Sequence, residues 1–160
     1  MTDSNSVKIL FNFFSDIFDD YTTETLLAEV VDAEYDYYKL ISTPFYAPRI
    51  ALSDVVWATY NEAEGMLVYR KTVQHSGNST IHAIVLNEAC NLAAIMADFE
   101  RTGCIADKLN DKYFLITVPA IVDYIPVKHK LDGFEKGKVL DYAESCLSEK
   151  HQYKNTSFQK

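Results

Sequence analysis

Residues 80–103 read T-I-H-A-I-V-L-N-E-A-C-N-L-A-A-I-M-A-D-F-E-R-T-G, and the apolar period changes inside them. Residues 80–86 are an apolar run rich in β-branched side chains, the pattern of a strand. From Leu92 the spacing becomes helical: Leu92, Ile95, Met96 and Phe99 form one stripe, with Ala93 and Ala97 beside it. Asn87 is the N-cap expected for a helix beginning at Glu88, and Gly103 stops it. Residues 104–109 and 113–118 then make a hairpin around Asn110 and Asp111. Residues 123–133 read as a second helix that tolerates Pro126 in its first turn. It turns Val127, Leu131 and Phe134 to a sheet, and Gly133 and Gly137 mark its exit. Residues 139–147 are a last strand. Strand, helix, strand, strand, helix, strand is the order of the split ferredoxin-like βαββαβ motif.

Upstream of residue 80 the chain reads as all-β. Residues 1–6 are a polar lead-in. Residues 7–14, V-K-I-L-F-N-F-F, make a strand with Val7, Ile9, Phe11 and Phe13 on one face and Leu10 and Phe14 on the other. The Asp-rich residues 15–21 break it. Residues 22–33 fit either a helix or a strand that turns near Asp32 to Glu34. The strand is preferred, because residues 35–42 follow at hairpin distance and neighbouring β elements pair most readily. Residues 54–60 and 66–73 form a hairpin around 61–65, and Gly77 lies in the loop that follows.

Between these hairpins stands S-T-P-F-Y-A-P-R-I-A-L-S-D-V-V, residues 42–56. Pro44 and Pro48 each remove a backbone donor, so no central strand runs through both. The stretch reads as strand, structured corner, strand, with Phe45 expected buried and Tyr46 nearer the surface. The predicted fold class is therefore α+β: a β-rich lobe over residues 1–79, a ferredoxin-like lobe over 80–148 and a polar tail over 149–160. The lobes are free to share one continuous core.

Hydrophobic residues make up 48% of the chain and aromatics 13%, a composition that folds. A net charge of −8 argues against a nucleic-acid backbone as partner and is compatible with a basic protein. Cys90, Cys104 and Cys146 are far apart and odd in number, which reads as reduced thiols in a cytoplasmic protein. No signal-peptide pattern or membrane-span length is expected.

F-x-F at Phe11, L-I-S-T-P-F-Y-A at residues 40–47, S-D-V-V at 53–56 and V-x-x-S-G-N-S-T-I at 73–81 occur in that order. This set resembles a bacterial domain-of-unknown-function family, family 4265, over residues 7–147. The family pattern is more often N-x-P-F and S-G-H-S. Ser42 and Asn78 stand here at the positions of that Asn and His, which puts in doubt any catalysis that such a His would carry. Members of such small families often resemble cytosolic immunity proteins encoded beside toxins, an implication by analogy.

His75, Ser76 and Asn78, with Asp54, are the residues from which hydrolase machinery would be drawn. No G-x-S-x-G elbow accompanies them, and the plainer reading is a loop whose hydroxyls and amide satisfy a turn. His82 and His129 lack a second His at ligand spacing, so no metal is expected. The acidic residues from Asp19 to Asp36 lack the EF-hand order, and no glycine loop cradles a phosphate. No cofactor is expected. Tyr21, Tyr35, Tyr37 and Tyr38 are interleaved with those carboxylates, as rings and charges are at protein interfaces. The expected partner-binding residues are Asp32, Glu34, Asp36 and Tyr38, and the expected partner is a basic toxin domain blocked by occlusion. A small-ligand-binding regulatory module, with its pocket between the lobes, and a small hydrolase are the alternatives.

Overall fold

Among the residues that the computed structural model describes, 6–15 and 18–153, nine strands and two α-helices follow in order. The first five are β1 (Ser6–Ser15), β2 (Asp20–Asp32), β3 (Tyr37–Leu40), β4 (Val55–Asn61) and β5 (Met66–Gln74). Each pairs antiparallel with the next. Five alternating strands leave the first and last pointing the same way. The barrel therefore closes through a parallel contact, Ile9 with Leu67 and Leu10 with Val68. Residues 22–32 are thus strand, as their distance from the next β run predicts, and Ala33 opens the turn that follows. Ile9, Phe11, Leu26, Ala28, Leu40, Val56 and Ala58 fill the barrel, and Phe11 stacks on Tyr69 with ring centroids 4.5 Å apart.

The second lobe comprises β6 (Ser79–Val85), α1 (Leu92–Glu100), β7 (Ile105–Lys108), β8 (Tyr113–Val118), α2 (Tyr124–Lys136) and β9 (Leu140–Cys146). Its sheet has the order β7-β8-β6-β9, an α+β arrangement resembling the split ferredoxin-like one. Ile81, Ala83, Val85, Phe114, Ile116 and Val118 meet Ile95, Phe99, Val127 and Leu131 from the helices. The other face of the sheet carries Thr80, His82, Tyr113, Leu115 and Thr117, and the corner between β3 and β4 reaches it.

The corner is both plug and clamp. Ala47 and Ile50 enter the barrel core. The Arg49 N–H donates to the Ser145 carbonyl at 2.9 Å, Thr80 Oγ1 donates to the Ile50 carbonyl at 3.0 Å, and Tyr113 donates to the Phe45 carbonyl at 2.8 Å. Thr43 Oγ1 donates to Asp107 across the same junction. Arg49 and Ser53 hold φ of 62° and 73°, a left-handed conformation costly for side-chain-bearing residues, which these contacts sustain.

Four expectations are corrected. Phe45 is not buried: it and Tyr46 are both half-buried, while Pro44, Ala47, Ile50 and Ala51 are enclosed. Asn87 is not the helix cap. The Leu86 and Asn87 N–H groups still donate to the Val139 carbonyl, so the chain is tied to β9 and cannot yet wind. Asn87 Oδ1 instead accepts from Ala89 in a turn, and Asn91 caps α1 by accepting from the Ala94 N–H at 3.2 Å. Gly133 lies inside α2, which ends at Gly137. The described part of residues 149–160 is more than a polar tail: Glu149–His151 form a 3-10 turn, and His151 is buried. Most of the lead-in, residues 1–5, and residues 154–160 lie outside the described residues, as do Asp16 and Ile17 of the Asp-rich break.

Phe99 is fully enclosed and touches the Phe114 and Phe134 rings. Phe99→Ala is expected to lower unfolding free energy by about 3–5 kcal/mol, read by urea denaturation.

Candidate functional site

The expected partner-binding residues sit at one end of the barrel. Asp32 closes β2, and its Oδ1 accepts from the Glu34 and Tyr35 N–H groups at 3.0 and 3.3 Å, forming the turn into β3. Asp36 completes that turn with φ 62°, and its carbonyl accepts from the Ala58 N–H. Glu34 is exposed. Tyr38 is the exception. It shares the inward parity of Leu40, is 8% exposed and packs in the barrel core, where burial and then Asp36 raise its pKa. It is a core residue and not an exposed anchor.

The rings that do reach solvent at this end are others. Tyr35 stacks on Tyr37 at 5.7 Å, Tyr37 pairs across the ladder with Trp57, and Tyr60 lies further along β4. Tyr35 is 58% and Tyr60 63% exposed. The β4–β5 turn adds Glu62 and Glu64, so the turns 33–36 and 62–65 hold four carboxylates beside Asp32 and no Lys or Arg. Cations stand on the adjoining wall: Arg70, whose Nε donates to Thr59 Oγ1, Lys39 opposite Glu29, and Lys71 opposite Trp57. Strand alternation carried the signal for Trp57, and sequence reasoning missed its proximity to Tyr37.

The hydrolase-like residues form a different junction. Asp54 is 1% exposed. Its Oδ1 accepts from the Ser76 N–H at 2.8 Å, its Oδ2 accepts from the Ala51 N–H at 3.1 Å, and His75 Nδ1 stands 3.7 Å from that Oδ2. Ser76 Oγ accepts from the Asn78 N–H. Asn78 Nδ2 donates to the Leu52 carbonyl, and its Oδ1 accepts from the Ala120 N–H, both at 2.9 Å. These groups pin the loop to the corner and to the exit of β8. Gly77, at φ 93°, cannot be replaced without conflict, because a Cβ there would lie 2.9 Å from the Ala120 Cβ.

A Ser–His pair does occur, at Ser79 and His151, with Oγ and Nδ1 2.6 Å apart. Ser79 also accepts from the Ser148 N–H, and His151 Nε2 lies 3.0 Å from the Pro119 carbonyl. Both side chains are buried, so their visible work is to fasten residues 148–151 to β6. The Cys146 thiol is pushed up to about 11 by burial and by Asp54, the reverse of what a nucleophilic thiolate needs. Among the described residues no three His, Cys, Asp or Glu side chains gather as metal ligands.

The least expected polar group is Glu24, in the middle of β2. Its Oε2 accepts from the Phe45 N–H at 2.7 Å, and its Oε1 accepts from the Tyr46 and Ala47 N–H groups at 2.9 and 2.8 Å. One carboxylate thereby satisfies three consecutive donors of the proline-bounded corner. His82, mid-β6 beneath that corner, is 9% exposed and pushed down to about 4, by burial above all, with the Pro44 carbonyl opposing the shift.

A family described as a domain of unknown function, DUF4265, matches residues 24–142, and the chain belongs to that family. A search of curated proteins returns no significant match. Among solved structures, a hypothetical protein from Neisseria gonorrhoeae is similar at 23% identity and a TM-score of 0.78, over 89% of this chain and 96% of that one. That likeness shows a shared fold. No helix among the described residues is long and apolar enough to cross a membrane.

Two measurements test this geometry. Glu24→Ala is expected to cost about 2–4 kcal/mol in urea unfolding, because three charge-assisted hydrogen bonds go. Glu24→Gln is expected to cost less, since it keeps an acceptor for Tyr46 and Ala47. For His82, a folded pKa below the unfolded value means that the unfolded chain binds the extra proton. Stability is then full above about pH 6.5 and falls by about 3 kcal/mol as pH drops towards 4. Replacing His82 with Phe is expected to flatten that part of the pH–stability curve.

Proposed function

We propose that this chain is a protein-binding inhibitor: a cytoplasmic immunity protein that neutralises a bacterial toxin by covering its active surface, with no chemistry of its own. The observation that supports the reading is the acidic pole of the barrel. Five carboxylates and the rings of Tyr35, Tyr37, Trp57 and Tyr60 share one end, and two adjoining turns there lack any cation. Concentrated like charge repels itself, and exposed rings cost solvation, so a soluble fold gains nothing from gathering both. A basic partner turns both to use. The charges steer the encounter, and the rings supply desolvated anchors. Toxins that attack nucleic acids or nucleotides often carry basic clefts that such a pole would complement.

Tyr38 leaves the proposed set, because it is core. Asp32 and Asp36 stay in the pole as charges, but both also shape the turn, so their substitution would confound binding with folding. Glu34 and Glu64 have no such backbone duty for their side chains. Affinity capture from the native organism followed by mass spectrometry identifies the partner. Rates are then measured with the purified partner. Glu34→Lys with Glu64→Lys is expected to slow association on the order of tenfold at low salt, with the gap closing as salt shortens the screening length. Trp57→Ala is expected to act on dissociation instead. Unchanged rates with intact protection from the toxin would remove this end of the barrel from the interface.

A further inference from the structure

The loop after β5 carries a second feature, independent of the acidic pole. Residues 75–78, residues 144–150 and Arg49 of the corner surround a cavity of about 720 Å³. That size lies within the range of small-molecule sites. Three segments far apart in sequence form its walls, and each brings hydrogen-bond donors. Arg49 comes from the corner, where it holds the left-handed φ of 62°. Lys150 comes from the 3-10 turn, and its stem crosses Gly77: a Cβ on Gly77 would lie 3.5 Å from the Lys150 Cγ. Ser76 and Ser145 bring hydroxyls from the loop and from β9.

The donors are open. The chain holds 23 Asp and Glu, yet no ion pair or side-chain hydrogen bond among the described residues takes up the Arg49 guanidinium or the Lys150 ammonium. Ser76 Oγ accepts from the Asn78 N–H, which leaves its own proton to donate. Ser145 Oγ has no partner among the described residues. The neighbouring carboxylates are mostly engaged. Asp54 accepts from the Ser76 and Ala51 N–H groups and stands 3.7 Å from His75 Nδ1. Glu144 accepts from the Tyr124 and Tyr153 hydroxyls at 2.6 and 2.9 Å. Glu149 is exposed, lines the cavity without such a partner, and opposes an anion there.

We propose that this cavity binds a small molecule through a phosphate monoester group. Arg49 and Lys150 match the two negative charges of such a group, and its three terminal oxygens accept from more donors than a carboxylate's two. The guanidinium fork takes two of those oxygens, and the ammonium and the serine hydroxyls serve the rest. The cavity is larger than the phosphate group alone. It leaves room for the esterified carbon skeleton beside Cys146 and Leu147.

Methyl phosphate and dimethyl phosphate separate the dianion from the monoanion, provided the pH is about 8, where the monoester is fully ionised. Titration of the full chain, followed by NMR shifts of the Gly77 and Ser145 amides, is expected to show methyl phosphate binding about tenfold more tightly. Arg49→Gln and Lys150→Gln are each expected to weaken methyl phosphate by about tenfold. Both side chains are exposed, Arg49→Gln leaves the left-handed backbone as it is, and Lys150→Gln keeps a stem across Gly77, so the fold is preserved. Glu149→Gln removes the opposing charge and is expected to tighten binding. Lys39→Gln, on the barrel wall, is expected to change nothing. Equal affinity for the two probes, binding unaffected by Arg49→Gln and Lys150→Gln, or no shift with methyl phosphate at about ten millimolar, the weak end of small-ligand affinity, would overturn the proposal.

Discussion

Three backbone N–H groups in a row, on Phe45, Tyr46 and Ala47, all need an acceptor, and the Glu24 carboxylate supplies it. Pro44 and Pro48 bound these residues, so no strand ladder is available to take the donors instead. A buried donor left unmatched costs more than a made bond returns, so the corner is held in one conformation or not at all. Several of the bonds that join the lobes depend on that conformation. Ala47 and Ile50 point back into the barrel, while the carbonyls of Phe45 and Ile50 point out to Tyr113 and Thr80 of the second lobe and that of Leu52 to Asn78 in the loop before it. The chain thus spends one segment on two tasks, sealing the barrel and seating it on the sheet.

What the sequence made legible follows from the range of each interaction. The stripe of Leu92, Ile95, Met96 and Phe99 is local and periodic, and it packs as its spacing dictates, with Ile95 and Phe99 enclosed. The hairpin of β4 and β5 is equally local. The errors lie where two residues of equal local quality compete. Asn87 and Asn91 are both good caps, and only the bonds from Leu86 and Asn87 to Val139, more than fifty residues on, decide between them. Tyr37 and Tyr38 are adjacent and identical in type. Leu40, two residues beyond Tyr38, held the clue, because alternation gives both the same face. Glu24 was illegible for a different reason: its partners lie more than twenty residues away, and nothing local separates it from the other carboxylates of that acidic stretch.

The candidate site was half legible for the same reasons. Charge is a sum over sequence, so the acidic turn could be read before any coordinates. Which rings stand among those charges is a matter of parity and of strand neighbours. Trp57 joins Tyr37 only through the β3–β4 ladder. The loop of His75, Ser76 and Asn78 invited a catalytic reading because its residue types match one. In the folded chain Asp54 and Asn78 are occupied with backbone groups on both sides. Their partners are the corner, the loop itself and the residue after Pro119, so the motif is bound up with the lobe junction.

The lobe junction and the acidic pole sit at opposite ends of β2. The turn at its start brings Phe18 against Tyr46 beside the second lobe, and its last residue, Asp32, begins the acidic pole. Thirteen residues of strand at ~3.3 Å each put about 40 Å of chain between them. That distance exceeds several screening lengths at physiological salt, so the carboxylates of the pole exert little pull on His82 or on what lies beside it. The imidazole is neutral because it is buried under the corner, whereas the carboxylates of the pole stand exposed or half-exposed to solvent. The junction is accordingly a packed and hydrogen-bonded seam, whereas the pole presents charge and area to solvent.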